Sequence, residues 1–394
     1  LRFSYGQTGN QAISSYQTME SLGTANYPLN GTLTSGFSGQ TYKGPLNTSL
    51  RWETTDQFNV GLDFGFWKNR LNFSANYYYK KTKDLLQNVS IPLSTGYSTM
   101  WTNFGHVTNK GFEFTANVVA IDNKDWGLNF DGNISFNQNR IGGLNADQYA
   151  TQLWYGANEV FLQRNGLPIG TIYGYVEDGF YDNIAEVRAD PIYSKVSKEE
   201  AQRMIGEIKY VDRNGDNQIT TEDRAVIGDT NPDFIYGLNA NFRWKKLSLG
   251  LFFQGSQGND IFNGNLTMIG MNSIGNVTRE AYENRWTPEN AANAKWPRIT
   301  TAMTRDMKLS DRYVEDGSYF RLKTINLSYN FGSVCKGITD LSVFGTITNV
   351  FTLTNYSWFD PDVNAFGSDA SRRGVDIFSY PNSRTYTIGF KLTL

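Results

Sequence analysis

The chain has 394 residues, of which 39% are hydrophobic, 15% aromatic and 19% charged, and its formal net charge is −2. The charge balance excludes a basic surface for nucleic acid, and no apolar run reaches the roughly 18 residues that a membrane helix requires. A single cysteine excludes an internal disulfide framework, whereas the many aromatic residues beside 38 glycines favour β-strands joined by polar loops.

Apolar side chains recur at every second position in ten stretches of the chain. Between Phe58 and Phe66, for example, apolar residues alternate with Asn59, Gly61 and Asp63. Successive side chains of a strand point to opposite faces, so this alternation predicts strands with one apolar and one polar face. The predicted strands are 1–5, 58–66, 71–79, 112–118, 126–137, 234–243, 247–253, 325–331, 341–347 and 385–394.

One of these strands changes phase near its start. Phe320 and Leu322 fall on one phase, whereas Ile325 and Leu327 fall on the other. One extra residue in a strand has this effect, so the sequence predicts a β-bulge near residues 323–324.

The alternation is compatible with two kinds of all-β protein. In a soluble sandwich the apolar faces pack on a core, and in an outer-membrane barrel they face lipid while the polar faces line a wet lumen. Asp63, Glu113, Asp131 and Arg243 stand on the predicted polar faces among many asparagines, where a sandwich exterior more often carries Lys, Glu and Thr. We therefore interpret the pattern as that of a transmembrane β-barrel.

Short and long connections alternate along the chain. The short turns at 67–70, 121–125 and 244–246 each lie beside a tryptophan, as expected of an aromatic girdle at a membrane interface. The long polar connections are 6–57, 80–111, 140–233, 255–318 and 351–384. Outer-membrane barrels have short periplasmic turns and long extracellular loops, so we predict about ten antiparallel strands with the short turns and the C-terminus on the periplasmic side.

The two ends of the sequence indicate whether it is a whole protein or a part of one. Residues 385–394 alternate strictly up to the last position, as closing strands of bacterial outer-membrane proteins do, and residues 1–5 are already strand-like without an initiator methionine or signal peptide. About ten strands are also few for the loops that they carry. We therefore expect residues 1–394 to be the C-terminal part of a longer barrel protein.

Several short motifs run in order along the whole chain. They are LRWE (50–53) with LDF (62–64), NRLNF (69–73) through DLL (84–86), NKGFE (109–113), PIG (168–170) with YGY (173–175), IGDTNP (227–232), NRWTP (284–288), EDGSYFRL (315–322) and TNVF (348–351). With these motifs the sequence resembles the SusC/RagA-like TonB-dependent transporters of Bacteroidota.

The resemblance implies a barrel of about 22 strands in the bacterial outer membrane, plugged by an N-terminal domain. It also implies a SusD-like surface lipoprotein that acts as a lid, and coupling to TonB through the N-terminal part. The TonB box, the plug and the first half of the barrel have no counterpart in residues 1–394. The partners expected of this chain are therefore the lipoprotein, outer-membrane lipid and a nutrient, with TonB acting through the missing part.

No combination of residues predicts catalysis. His106 is the only histidine, so no His-based triad or His-rich metal site is available, and we interpret it as structural. Cys335 lies in a predicted turn without a nearby base. Asp360 and Asp362 imitate a glycosidase pair, but such close sequence neighbours cannot be assigned to opposite sides of a substrate, and we interpret them as solvated loop carboxylates.

The long loops are not low-complexity linkers. A helix is predicted over 197–208, opened by Ser197 with Glu200 three residues later as a capping box. Loop aromatic residues would either stack on sugar rings or be buried in a partner interface, and we favour the interface because its core enriches Tyr and Trp. These residues are Tyr149, Trp154, Tyr155, Trp286 and Trp358.

Residues 212–223 match a calcium-binding loop. Oxygen ligands at positions one, three, five, seven (a backbone carbonyl) and twelve would come from Asp212, Asn214, Asp216, Gln218 and Asp223. Position six is Asn217 where glycine is usual, and the aspartate at twelve is shorter than the usual glutamate, for which Glu222 is a possible substitute. The alternative is an Asx-rich turn without an ion. We predict a structural Ca²⁺ that braces an external loop.

Together these observations predict a protein that is not an enzyme. The resemblance implies TonB-dependent import of a bulky nutrient, an oligosaccharide or a peptide, across the outer membrane. The alternative is an outer-membrane barrel that transports nothing and acts as an adhesin or assembly scaffold. A secreted β-rich hydrolase, the third possibility, lacks any catalytic motif.

Overall fold

The computed structural model describes residues 1–10, 22–26, 38–42, 45, 47–97, 99–150, 159–269, 276–300 and 308–393. Ten described strands form one antiparallel sheet in which each strand pairs with its neighbours in chain order. They are β1 (Arg2–Asn10), β2 (Glu53–Phe66), β3 (Leu71–Lys83), β4 (His106–Asp122), β5 (Trp126–Gly142), β6 (Phe234–Trp244), β7 (Leu247–Gln257), β8 (Tyr319–Gly332), β9 (Asp340–Thr354) and β10 (Thr385–Thr393). The all-β prediction and the predicted number of strands are confirmed.

One face of the sheet carries a continuous apolar band. The register places Leu62 opposite Ala75, Ala75 opposite Phe114, and Phe114 opposite Ile134, which in turn faces Tyr236 on β6. Apolar side chains from neighbouring strands thus lie side by side, at the cross-strand spacing at which such pairs stabilise a sheet. We call this the lipid face, because a membrane barrel turns its apolar residues outward.

The opposite face, called the lumen face below, is a network of polar side chains. Arg2 donates from Nε to Asp63 Oδ2 (2.7 Å) and from Nη2 to Asn76 Oδ1 (2.9 Å). Asn117 donates to Asp131 Oδ1 over 2.8 Å. The register therefore places the predicted polar positions on one face, and two of them, Asp63 and Asp131, hydrogen-bond across strands.

Short connections join β2 to β3, β4 to β5, β6 to β7 and β8 to β9. The predicted tryptophans lie beside three of them, and the rings of Trp126 and Trp244 stack with centroids 5.8 Å apart. The long connections are shorter than predicted, because β1 runs to Asn10, β3 to Lys83, and β4 begins at His106. Strands continue there beyond the apolar band, where the alternation in the sequence fades.

The predicted β-bulge is confirmed. Phe252 pairs with Thr324 and the next residue, Phe253, pairs with Leu322, so Lys323 is the extra residue of β8. Pairing with β9 shifts at the same place. The bulge keeps apolar side chains on the lipid face on both sides of the phase change.

The long connections contain short elements of their own. The helices are α1 (Ile184–Ala189), α2 (Lys198–Met204), α3 (Asn265–Ile269) and α4 (Arg279–Glu283), with 3₁₀ turns at Leu93–Thr95, Thr221–Asp223, Ala291–Asn293, Asp311–Tyr313 and Ala370–Arg372. The short strands are Leu22–Asn26, Ser38–Tyr42, Leu86–Ser90, Thr99–Asn103, Gln148–Ala150, Phe161–Gln163, Thr171–Gly174, Glu177–Phe180, Ile208–Tyr210, Ala225–Asp229, Asp260–Asn263, Val314–Asp316 and Val375–Asp376. Within the described ranges, no helix is long and apolar enough to cross a membrane.

The predicted capping box is present at the start of α2. The Ser197 hydroxyl accepts the N–H of Glu200 (3.1 Å), and the Glu200 carboxylate accepts the N–H of Ser197 (2.9 Å). The helix is shorter than predicted and ends at Met204. Gly206 follows with a φ of 77°, which turns the chain back toward the strand Ile208–Tyr210.

The largest buried cluster lies in the loops rather than in the sheet. It consists of Val160, Phe161, Ile172, Phe262, Tyr313 and Val375, which come from the connections β5–β6, β7–β8 and β9–β10. The lipid face and most of the lumen face are surfaces, whereas these loops pack on one another and exclude water. We call the described residues of these three connections the external cap.

Candidate functional site

Arg321 ties the external cap to the lumen face. Its side chain is 1% exposed, donates from Nε to Thr352 Oγ1 (2.9 Å), and pairs through Nη2 with Asp360 of the cap. The bulge at Lys323 sets its direction, because Arg321 faces the lumen while its neighbour Leu322 stays on the lipid face. A regular strand in phase with the rest of β8 would have turned the arginine toward lipid.

Asp360 is saturated by hydrogen bonds. Besides Arg321, its Oδ1 accepts the N–H of Asp362 (2.8 Å) and its Oδ2 accepts Nδ2 of Asn382 (2.6 Å). The interpretation of Asp360 as a solvated loop carboxylate is therefore wrong, since the residue is only 8% exposed. Asp362 does remain exposed, and its carboxylate lies 3.7 Å from the same arginine. Both carboxylates face one cation, an arrangement that braces a loop.

A second anchor joins the cap to the inside of the wall. Asn139 on the lumen face of β5 accepts the N–H of Ile169 at Oδ1 (2.7 Å) and donates from Nδ2 to Asn231 Oδ1 (2.8 Å). The side chain of Ile169 packs on the buried side chains of Val107 and Ile141, next to Asn139 on the lumen face. The cap thus reaches inside the external end of the sheet.

Buried polar contacts hold the cap together. Arg312 donates to both carboxylate oxygens of Glu177, with 3.0 Å from Nε to Oε1. The hydroxyl of Tyr356 donates to Asp376 Oδ2 over 2.7 Å. Burial, with the bonded carboxylate of Asp376 second, raises the pKa of Tyr356, so its hydroxyl keeps the proton that it donates. The cap is therefore a folded body, and function concentrates on loops that a rigid scaffold holds.

Trp286 is held by the chain itself. Trp286 is 7% exposed and donates from Nε1 to Asp182 Oδ1 (2.7 Å), so its predicted burial in a partner interface is wrong. A Cβ at Gly206 would come within 2.5 Å of the Trp286 ring, so glycine is required there. Trp358 is half-buried, as is Tyr149, whose ring lies 5.4 Å from the Arg224 guanidinium. The predicted aromatic residues at 154 and 155, Trp154 and Tyr155, lie outside the described residues.

The predicted calcium loop is a tight turn built on Asp212. Its carboxylate accepts the N–H groups of Gly215 (2.7 Å) and Asn217 (2.8 Å). Asn217 has a φ of 63°, so the asparagine at position six adopts the left-handed conformation expected there. Asn214 Oδ1 accepts the N–H of Asp216 (2.9 Å), which places these side chains along the inside of one turn.

Asp223 closes the loop from within. Its oxygens accept the N–H groups of Arg213 (2.9 Å) and Thr220 (2.7 Å), and the residue is fully buried. Burial alone would raise the pKa of this carboxyl, but the backbone N–H groups together outweigh it and lower the pKa. Gln218 is exposed beside these residues, and Glu222 accepts Nδ2 of Asn214 over 3.3 Å. The oxygen donors suit calcium, although no three carboxylate, imidazole or thiol groups converge on one point in the described chain.

His106 and Cys335 occupy unremarkable positions. His106 begins β4, where it pairs with Lys83 and Gly142 of the adjacent strands. Cys335 is a free, exposed cysteine in the connection between β8 and β9. Among the residues that the structure describes, neither side chain is hydrogen-bonded to a group that would activate it as a nucleophile or as an acid or base.

Comparison with known proteins agrees with this architecture. Residues 1–350 match the family model described as TonB dependent receptor-like, beta-barrel. TonB-dependent receptor P26 of Formosa agariphila is 35% identical over 407 residues, covering 100% of this chain and 39% of that relative. TonB-dependent receptor SusC of Bacteroides thetaiotaomicron is 27% identical over 407 residues, covering 100% of this chain and 37% of that relative.

The fold is also similar to that of a solved transporter. The structure of the RagAB peptide transporter superposes with a TM-score of 0.78 at 22% sequence identity, over 99% of this chain and 40% of that one. This chain spans about two fifths of the length of the relatives that it matches. The sheet with one lipid face, the folded external cap and the matched family lead to one conclusion. The chain is an outer-membrane protein and belongs to the TonB-dependent receptor β-barrel family.

Proposed function

We propose that this chain forms ten strands of the wall of a larger outer-membrane barrel that imports a bulky polar nutrient. Support comes from the two edge strands, whose outer sides pair with no described strand. Phe3 on β1 is 68% exposed and Ile388 on β10 is 88% exposed. Open apolar edges of this kind favour pairing with further strands, and barrel closure removes them.

The main support for the proposal is that a folded cap is attached to the external end of a polar lumen face. The pairs Arg321–Asp360 and Asn139–Ile169 fasten the cap to the inside of the wall. A nutrient that enters from outside would first meet the cap and then the polar side chains below it. The cargo class is a hydrophilic oligomer, an oligosaccharide or a peptide.

The proposed partners are those that the resemblance to SusC/RagA-like transporters implies. A SusD-like surface lipoprotein would cover the external cap as a lid, and the RagAB structure is named as that of a peptide transporter. TonB would act through a plug domain outside this chain. The work is conformational: the nutrient is trapped between lid and barrel and admitted when the plug is displaced.

The test is uptake by the full-length protein in living cells. Strains with and without the gene receive fluorescent oligosaccharides and oligopeptides, in the presence and absence of a protonophore that de-energises the inner membrane. Import requires the gene and stops with the protonophore. Surface binding that is independent of energy, with no import of either cargo, would instead establish the adhesin or scaffold alternative.

We further propose that the loop 212–223 binds one structural Ca²⁺. Alternate side chains of a tight turn supply the oxygen donors that calcium prefers, with Asp212, Asn214 and Asp216 leading. Metal content of the purified full-length protein is measured for the wild type and for a variant with Asp212→Ala and Asp216→Ala. The variant should lose one equivalent of calcium, whereas equal content in both proteins would leave an Asx-rich turn only.

A further inference from the structure

Three cations stand together on the lipid face, above the apolar band. Lys81 on β3 and Arg140 on β5 both lie opposite Thr108 of β4, and Lys110 follows two residues along β4. In the alternation of each strand, all three side chains fall on the same face as the apolar residues of the lipid face. Lys110 is therefore a diagonal neighbour of both other cations, at about 7–8 Å across the strands.

These charges are not neutralised within the described part of the chain. Neither lysine nor the arginine forms an ion pair or a side-chain hydrogen bond there, and Lys110 and Arg140 are exposed. Asp56 of β2 lies directly opposite Lys81 in the register, but its carboxylate is already bound by two other side chains: it pairs with Lys83 Nζ (2.6 Å) and accepts Nε2 of Gln7 (2.8 Å). Three like charges on adjacent strands repel one another, so the cluster favours an anion from outside the chain.

The height of the cluster coincides with the outer boundary of the membrane. Lys81 lies ten residues above Leu71, which begins β3 at a short turn. At about 3.4 Å per residue and a tilt of about 40°, this is roughly 26 Å along the barrel axis. The apolar band of such barrels is about 25 Å tall, so the cluster lies at the level of the lipid headgroups of the outer leaflet.

A cavity connects the cluster to the apolar band. The pairing of β6 with β5 ends at Ser135, and above this point β5 continues beside a cavity of about 500 Å³. Lys110 and Arg140 line it together with the aromatic rings of Phe112 and Phe136. The same cavity therefore offers cations above and apolar surface below.

The segment 229–233 lines the cavity as well and contributes two carboxylates. Asp229 is already held by Asn231, whose N and Nδ2 both donate to its Oδ1 (2.9 and 2.7 Å). Neither Asp229 nor Asp233 forms an ion pair with the cations in the described structure. An anionic group is thus best accommodated away from this segment, between Lys81 and Lys110.

We propose that Lys81, Lys110 and Arg140 bind the phosphate-bearing headgroup of a lipid in the outer leaflet, with its acyl chains against Phe112 and Phe136. Arginine binds phosphate through two parallel hydrogen bonds, and lysine adds point charges. A soluble acidic partner is disfavoured because the cluster faces the same way as the lipid face. The three cations lie on the face opposite the lumen, so this proposal does not depend on the transport proposal.

The experiment uses full-length protein in phosphatidylcholine nanodiscs, titrated with phosphorylated lipid A. The test variant combines Lys81→Gln, Lys110→Gln and Arg140→Gln. Lys80→Gln is the matched control, because Lys80 is adjacent in sequence but belongs to the opposite phase, on the lumen face. Each cation near a charged membrane surface contributes roughly a fivefold factor, so the triple variant should bind on the order of 100-fold more weakly.

The Lys80→Gln control should bind phosphorylated lipid A with an affinity within about twofold of the wild type. Wild-type protein should bind dephosphorylated lipid A weakly, with about the affinity that the triple variant has for phosphorylated lipid A. Equal affinity of wild type and triple variant overturns the proposal. So does an equal loss in the Lys80 control, which would indicate a general charge effect. If equimolar inorganic phosphate displaced the lipid, the cluster would be a site for a free anion. If an acidic surface lipoprotein displaced it, the cluster would be a site for a protein partner. Either result would also overturn the lipid proposal.

Discussion

The lipid face makes a quantitative prediction along β7. Leu247, Leu249 and Leu251 lie on this face at increasing height above the turn that follows Trp244. Four residues at about 3.4 Å each and a tilt of about 40° place Leu251 roughly 10 Å deeper than Leu247. Since the apolar band is about 25 Å tall, Leu251 lies near the midplane, whereas Leu247 lies at the interface.

Arginine substitutions should therefore show a gradient. Leu251→Arg should cost about 2–4 kcal/mol of unfolding free energy, because a guanidinium at the midplane loses its hydration, and Leu247→Arg only about 0–1 kcal/mol. Leu249→Arg should fall between them. The assay is denaturant titration of full-length protein refolded into lipid vesicles, with the yield of assembled barrel in cells as a second measurement.

The control for this series is Gly250→Arg. Gly250 faces the lumen, where a Cβ would lie 3.3 Å from the flexible side-chain oxygen of Asn241, so a long polar side chain has a wet space to enter. It should cost less than Leu251→Arg. If Gly250→Arg were the more costly, or if Leu247→Arg exceeded Leu251→Arg, the assignment of the two faces and of depth would be wrong.

Three further predictions concern the external cap. Arg321→Ala should destabilise the cap by about 3–5 kcal/mol, because Asp360 would remain buried without its cation. Asp362→Asn is the control, and because its carboxylate is exposed it should change stability by less than about 1 kcal/mol. Limited proteolysis in denaturant measures both variants. Ser197→Ala should cost about 1 kcal/mol and raise amide hydrogen exchange in α2 first, and unchanged exchange there would argue against the cap. Burial raises the pKa of both Asp260 and Asp311, so the stability that these carboxyls contribute to the cap is present below the unfolded-state pKa of about 4 and is lost as pH rises through their folded-state pKa. Asp260→Asn should therefore weaken this loss of cap stability, as measured by proteolysis, and Asp311 should account for the remainder. An unchanged pH dependence would place the titrating group elsewhere.

The sheet could be predicted from the sequence because its information is local. Alternation with a period of two reports which side chains share a face, and the change of phase between Leu322 and Ile325 was enough to predict the bulge at Lys323. The lumen position of Asp63 and the capping box at Ser197 followed in the same way. Each of these features depends on residues within a few positions of one another.

The external cap could not be predicted because its contacts are distant in sequence. Its strands are two to five residues long, too short for a period to appear. Arg321 and Asp360 are 39 residues apart, and Trp286 and Asp182 are 104 apart, so no local pattern distinguished a buried ion pair from a solvated loop or a packed indole from a partner contact. The cluster around Lys110 likewise emerged only from the register of three strands. Burial and charge pairing are properties of the assembled fold, because they depend on which distant segments pack together and exclude water.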